Sequence, residues 1–301
     1  MEQELLALSG LEKSYGGFSL SGVGFSINAG CILGLVGANG AGKTTTIRCL
    51  LGAARPQGGS IRLLGEEVAP NAAGYVGEHR SAQLRQDVGF VPDTCAFPAE
   101  ASVREVGSIC KRVFSAWDSA AFARSCSEAG LAEDKKVQEL SRGMGMRLSL
   151  ACALAHSPRL LVLDEATAGL DPLAREETLQ LLRDYVERTN AGILMSSHIT
   201  SDLERISDRI VCLDKGRLAF DMFTADITDL AGIARCREAE LQAVAASGLY
   251  APGTLRVRRE EFYAELLVPD RFAFSKAFPQ VSVERASLDA YLNLLLKGAQ
   301  L

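Results

Sequence analysis

Four short apolar runs punctuate the chain: Cys31–Val36, Val88–Val91, Leu160–Leu163 and Ile193–Met195. Each reads as a buried strand of the kind a parallel sheet covers on both faces. Near the N-terminus, Leu5–Leu11 reads as a strand ending near Tyr15-Gly16-Gly17, and Phe18–Ile27 alternates loosely. With a short strand at Ser60–Leu64, these predict an antiparallel sheet beside the central strands. Residues 70–86 read as irregular.

From about residue 100 to 158 the pattern turns helical. Val103, Val106, Ile109 and Val113 follow helix spacing, and so do Phe122, Cys126 and Ala129. Ser141 is an N-cap for a helix whose face carries Met144, Leu148, Ala151, Cys152 and Ala155. Asp171-Pro172 starts another helix, with Pro at its first position. Ser201-Asp202-Leu203-Glu204 reads as a capping box, and Arg209–Phe220 as a hairpin around Asp214-Lys215-Gly216.

Residues 221–301 change character. Strands near 232–236, 254–258, 262–268 and 281–285 alternate with helices near 237–247, 270–278 and 287–297, an order that suits a split β-α-β arrangement. No chemical motif falls there.

Composition narrows the class. The 301 residues, 48% of them hydrophobic, suffice for one α/β domain with an appendage. Net charge is −5 and the 32 Lys and Arg form no basic run, so nucleic acid is not an expected partner. No apolar stretch approaches the length of a membrane helix, and the acidic start lacks the basic region of a signal peptide. The eight cysteines form no C-x-x-C pair and read as small reduced hydrophobes; Cys95 alone lies near an expected site loop.

Two stretches carry chemistry. Gly37-Ala38-Asn39-Gly40-Ala41-Gly42-Lys43-Thr44-Thr45 lies between a buried strand and a predicted helix, the context of a phosphate-cradling P-loop. Its glycines let backbone N–H groups turn inward, and the helix N-terminus adds partial positive charge. Lys43 can reach the β- and γ-phosphates, and the Thr44 hydroxyl can ligate Mg²⁺. Asp164-Glu165 ends the Leu160–Leu163 strand, where one carboxylate can hold Mg²⁺ and the next can polarise water.

Together with Leu140-Ser141-Arg142-Gly143-Met144, Ala168-Gly169-Leu170-Asp171 and His198, these stretches resemble the ATP-binding cassette (ABC) ATPase family across roughly residues 1–220. Within it, the chain is most similar to ATP-binding subunits of bacterial exporters of the ABC-2 and antibiotic-peptide type. The resemblance implies a P-loop NTPase of ABC type. That fold has a mixed sheet core, an antiparallel β subdomain and a helical insertion at about 95–158. A small α+β appendage at 221–301 would serve regulation or dimerisation.

Roles follow by position in the resemblance. Tyr15 would stack on adenine. Gly37, Asn39, Gly40, Gly42, Lys43, Thr44 and Thr45 would hold phosphates and Mg²⁺. Asp93 stands where the family usually has Gln, which senses Mg²⁺ and the membrane partner. Asp164 would serve Mg²⁺, Glu165 the attacking water, and His198 the γ-phosphate. Ser141 and Gly143 would contact the nucleotide of a second subunit, and Asp171 would cross that interface. His79 and His156 read as ordinary structural histidines. Arg142 replaces the usual second glycine of the signature, Met144 its Gln, and Ala166 a common Pro; none of these removes a catalytic role.

The implied function is ATP hydrolysis by a homodimer, or a heterodimer with a related ABC ATPase, sandwiching two ATP. It would drive a separate integral membrane permease from the cytoplasmic face of the cell membrane. The alternative is a soluble regulatory or sensor ABC ATPase. Coiled-coil repair types and two-cassette translation types do not suit a chain with one cassette and a short insertion.

Overall fold

The computed structural model describes residues 3–68, 84–251 and 253–301. The expected irregular stretch therefore lies outside the described residues up to 83, and His79 with it; residues 84–86 are helical. The chain divides into two compact units, Met1–Asp221 and Met222–Leu301.

In the first unit, β1 (Glu4–Tyr15), β2 (Phe18–Asn28) and β3 (Ile32–Val36) lead into α1 (Lys43–Leu50), followed by β4 (Gly58–Leu63) and β5 (Glu66–Glu67). Then come β6 (Val88–Val91), α2 (Val103–Val113), α3 (Ser119–Glu128), α4 (Arg142–Leu154) and β7 (Leu160–Asp164). The unit closes with α5 (Pro172–Thr189), β8 (Gly192–Ser196), α6 (Thr200–Ile206), β9 (Arg209–Asp214) and β10 (Arg217–Phe223), the last running into the second unit.

Two sheets result, an antiparallel one ordered β2-β1-β4-β5 and a six-stranded one ordered β10-β9-β3-β8-β7-β6. In the larger sheet β9, β3, β8, β7 and β6 run parallel. Every residue of β3, β7 and β8 is buried, as a parallel sheet covered on both faces requires. Leu33, Leu35, Val162 and Leu194 join one core with Leu8, Phe25 and Ile61 of the antiparallel sheet. The P-loop thus rises from a strand with neighbours on both sides.

Helices α2, α3 and α4 share a second core built on Val103, Val106, Phe122, Cys126, Leu148 and Cys152. The face of α2 differs from the expected one. Ile109 and Val113 are 42% and 57% exposed, while Val103, Val106, Gly107 and Cys110 are buried. Gly107 is the cause: a Cβ there would fall 2.5 Å from Phe122 Cε1, so its bare backbone admits the ring and turns the helix inward on that side.

The capping box expected at Ser201 is also displaced. Helix α6 starts at Thr200 with Ile199 as N-cap, and Ser197 Oγ accepts from the Ile199 N–H at 3.0 Å. Asp202 is drawn inward, 3.7 Å from Arg175, which sets the start of the helix earlier than its polar sequence suggests.

The second unit contains β11 (Gly232–Cys236), α7 (Glu238–Ala246), β12 (Arg256–Arg259), β13 (Ala264–Val268), α8 (Arg271–Ala277), β14 (Ser282–Arg285), α9 (Leu288–Lys297) and β15 (Ala299–Gln300). The sheet order is β14-β11-β13-β12-β15, with all pairs antiparallel. Its first four strands interleave two split β-α-β units. Phe274 is fully buried among Ala234, Leu266 and Val281 and packs against Phe278. The closing strand β15 has no counterpart in the sequence pattern.

His156 is 2% exposed and stacks on Phe114 at 3.8 Å between centroids. Its Nδ1 donates to the Gln86 carbonyl at 3.0 Å, so it is a structural histidine. Burial pushes the imidazole below its ordinary 6.5, and the Gln86 hydrogen bond opposes this more weakly. The unfolded chain therefore takes up this proton first as pH falls. The contribution of neutral His156 is complete above about pH 6.5 and is lost progressively below it. We expect the melting temperature to drop between about pH 7.5 and about pH 5.5 more steeply than in His156→Phe, as scanning calorimetry can measure.

Candidate functional site

The P-loop follows β3 and occupies a space that admits no side chain at two positions. A Cβ at Gly37 would lie 2.4 Å from the Leu213 carbonyl oxygen. One at Gly42, where φ is +115°, would lie 2.5 Å from Leu20 Cδ2. Gly42 is also the N-cap of α1 and offers no side-chain oxygen. The N–H groups of the first turn are thus left for an anion, and the helix dipole favours one there.

These groups open onto a cavity of about 490 Å³. Of the residues expected from sequence, Asn39, Gly40, Gly42, Lys43, Thr44, Thr45, Asp93, Glu165 and His198 line it. Lys43 is buried and donates through Nζ to the Gly37 carbonyl at 2.7 Å, with Glu165 Oε1 3.9 Å away. Glu165 holds a left-handed backbone, φ +55°, which is strained for a residue with a side chain. Two hydrogen bonds keep it there: its N–H donates to the Ser196 carbonyl at 3.1 Å and to Ser196 Oγ at 3.2 Å. Glu165 Oε2 accepts from the His198 backbone N–H at 3.1 Å and from His198 Nδ1 at 2.5 Å. The two ends of β7 and β8 therefore aim one carboxylate and one imidazole at the same space.

Asp164 is buried and does not line the cavity. Its Oδ1 accepts from Ser196 Oγ at 2.5 Å. Ser196 thus braces both acidic residues, a role that only the β7–β8 register reveals. Tyr15 is 47% exposed, near Lys13, and also stands outside the lining. Phe18, its cross-strand neighbour, lines the cavity in its place. An aromatic just past the Tyr15-Gly16-Gly17 turn was the signal available for it.

Ser141, Gly143 and Asp171 belong to a different concavity of about 550 Å³, with Met144, Arg147 and Gly169. Ser141 caps α4, accepting from the Met144 N–H at 3.2 Å. Asp171 caps α5, accepting from the Ala174 N–H at 3.0 Å. That hydrogen bond holds the Asp171 carboxyl below its ordinary range. Cys95 packs against Gly145 and lines neither space.

Fold and cavity together define a P-loop nucleoside-triphosphate-binding protein. The family model described as ABC transporter matches residues 20–168. The Nod factor export ATP-binding protein I of Burkholderia orbicola (strain AU 1054) is 40% identical over 213 residues, covering 69% of this chain and 67% of that protein. The bacitracin transport ATP-binding protein BcrA of Bacillus licheniformis is 33% identical over 217 residues, covering 71% and 68%. A solved ATP-binding subunit of an ABC transporter superposes with a TM-score of 0.65 at 28% identity, over 74% of this chain and 91% of that one. The chain belongs to the ABC transporter family.

Ser196→Ala should destabilise the protein by about 1–3 kcal/mol, because a buried carboxylate and a strained amide each lose a partner. Urea unfolding against the parent chain measures this, and turnover should fall with it.

Proposed function

We propose that this chain is the ATP-hydrolysing subunit of an exporter, acting on a separate integral membrane permease and pairing with a second copy or a related ABC ATPase. One observation carries the reading: the cavity of the P-loop and the concavity of Ser141, Gly143 and Asp171 are distinct spaces. Each presents half of a phosphate site, the first with Lys43 and a helix N-terminus, the second with the N-terminus of α4. Two chains placed head to tail would close each half with the other. ATP, by binding both halves, would hold the pair together until hydrolysis releases it.

The chemistry follows from the cavity. Lys43 would exchange the Gly37 carbonyl for β- and γ-phosphate oxygens. Glu165 Oε1 would orient the attacking water and accept its proton, while His198 keeps that carboxylate aimed through two hydrogen bonds. Phe18 and Tyr15, paired across the β1–β2 hairpin, offer aromatic surface for the base. The donor set suits Mg²⁺: the Thr44 hydroxyl and the Asp93 carboxylate are hard oxygen ligands in the cavity lining, and Asp164, set behind that lining, would act through water. Mg²⁺ held there would supply neutralisation of the phosphate charge.

Transport supports the permease partner. Both relatives named above are transport subunits, and export is the direction given for the Nod factor protein. Among the described residues no helix is long and apolar enough to cross a membrane. The chain would work beneath its permease, on the cytoplasmic side. A regulatory ATPase unconnected to transport is the less favoured reading for the same reason.

Glu165→Gln should cut turnover about 10²–10⁴-fold and still form an ATP-dependent dimer, read by light scattering; full turnover in that dimer would remove Glu165 from its role. Lys43→Ala should weaken ATP binding about tenfold or more in calorimetry. Unchanged affinity would sink the phosphate assignment.

A further inference from the structure

Arg142 has no part in the chemistry above. It is the first residue of α4, next to Ser141. It lines the P-loop cavity of its own chain, a lining that also includes Lys43, Glu165, Ala168 and His198. It also lines the concavity of Ser141, Gly143 and Asp171, and among the described residues no other is common to the two spaces.

The path of the side chain is built in. Gly169 has φ +82°, and a Cβ there would fall 2.9 Å from Arg142 Cδ and 3.1 Å from Nε. The arginine stem therefore lies across a residue that must lack a side chain to let it pass. Other arginines nearby are committed: Arg147 pairs with Glu177 at 2.9 Å and Arg175 lies 3.7 Å from Asp202. Among the described residues the Arg142 side chain has neither a hydrogen bond nor an ion pair. Lys43, the other cation of the cavity, is already held by the Gly37 carbonyl.

A guanidinium carries five donors in a planar fork that matches phosphate oxygens. One left unpaired in the lining of a triphosphate cavity has an obvious anion to meet. We propose that Arg142 binds the terminal phosphate of the nucleotide held by its own chain, and so ties the Ser141 motif to the occupancy of its own P-loop. The proposal rests on the ATP-site reading given above. It makes the start of α4 responsive to two nucleotides, one within the chain and one across the pair.

The test uses mixtures of two full-length chains, one with an intact P-loop and one with Lys43→Ala in excess. Equilibrium titration follows ADP and a slowly hydrolysed ATP analogue. Arg142→Ala on the intact chain should weaken the triphosphate about tenfold and leave ADP within about twofold, the loss of one charge-assisted contact. Arg142→Lys should recover part of the loss, because it restores charge without the fork. Arg142→Ala on the Lys43→Ala chain should change nothing. A loss that follows this second placement would mean Arg142 acts across the interface, and it would overturn the proposal. Equal weakening of ADP and triphosphate, or no weakening, would overturn it too. Failure of the parent chain to bind either nucleotide would refute the ATP-site reading itself, and the inference with it.

Discussion

The first turn of α1 is left without a side-chain cap, and the nucleotide site depends on that omission. A serine or aspartate at position 42 would satisfy an amide, but it would also fill the space an anion needs and strike Leu20. Gly42 leaves the amides open and the dipole exposed. Burial of β3 on both faces then fixes where those amides point, since its neighbours β8 and β9 register it along its length.

The same register assembles the acidic side of the site. Asp164 pairs with Ser196 across the β7–β8 ladder, and that pairing braces Glu165 in its left-handed backbone. Strain at Glu165 is tolerable because the ladder over-determines it. A carboxylate on a relaxed loop would sample many orientations; here His198 receives a single one.

Arg142 and Gly169 extend this logic across the molecule. The resemblance treats Arg142 as a harmless replacement for glycine. In three dimensions a second glycine compensates, at Gly169, and the arginine crosses it to reach a cavity that its own motif otherwise does not touch. The departure from the family pattern is thereby coupled to a position elsewhere in the chain.

Much of this was legible in the residues. The apolar runs are strands because only a doubly covered sheet hides them, and the P-loop spacing names its ligand through backbone chemistry alone. Asn39, Lys43, Asp93, Glu165 and His198 converge on one cavity. Other features depend on neighbours distant in sequence. The face of α2 turns on Phe122 meeting Gly107, and the start of α6 on Asp202 meeting Arg175. Ser196 becomes a brace only through strand register, and that Phe18 rather than Tyr15 borders the cavity is seen only in three dimensions. Local sequence determined the elements and the chemistry of the phosphate loop, because hydrophobic period and backbone freedom are local properties. Which side chains brace, face and share that loop was decided by tertiary structure, because each such contact joins residues that the chain itself keeps far apart.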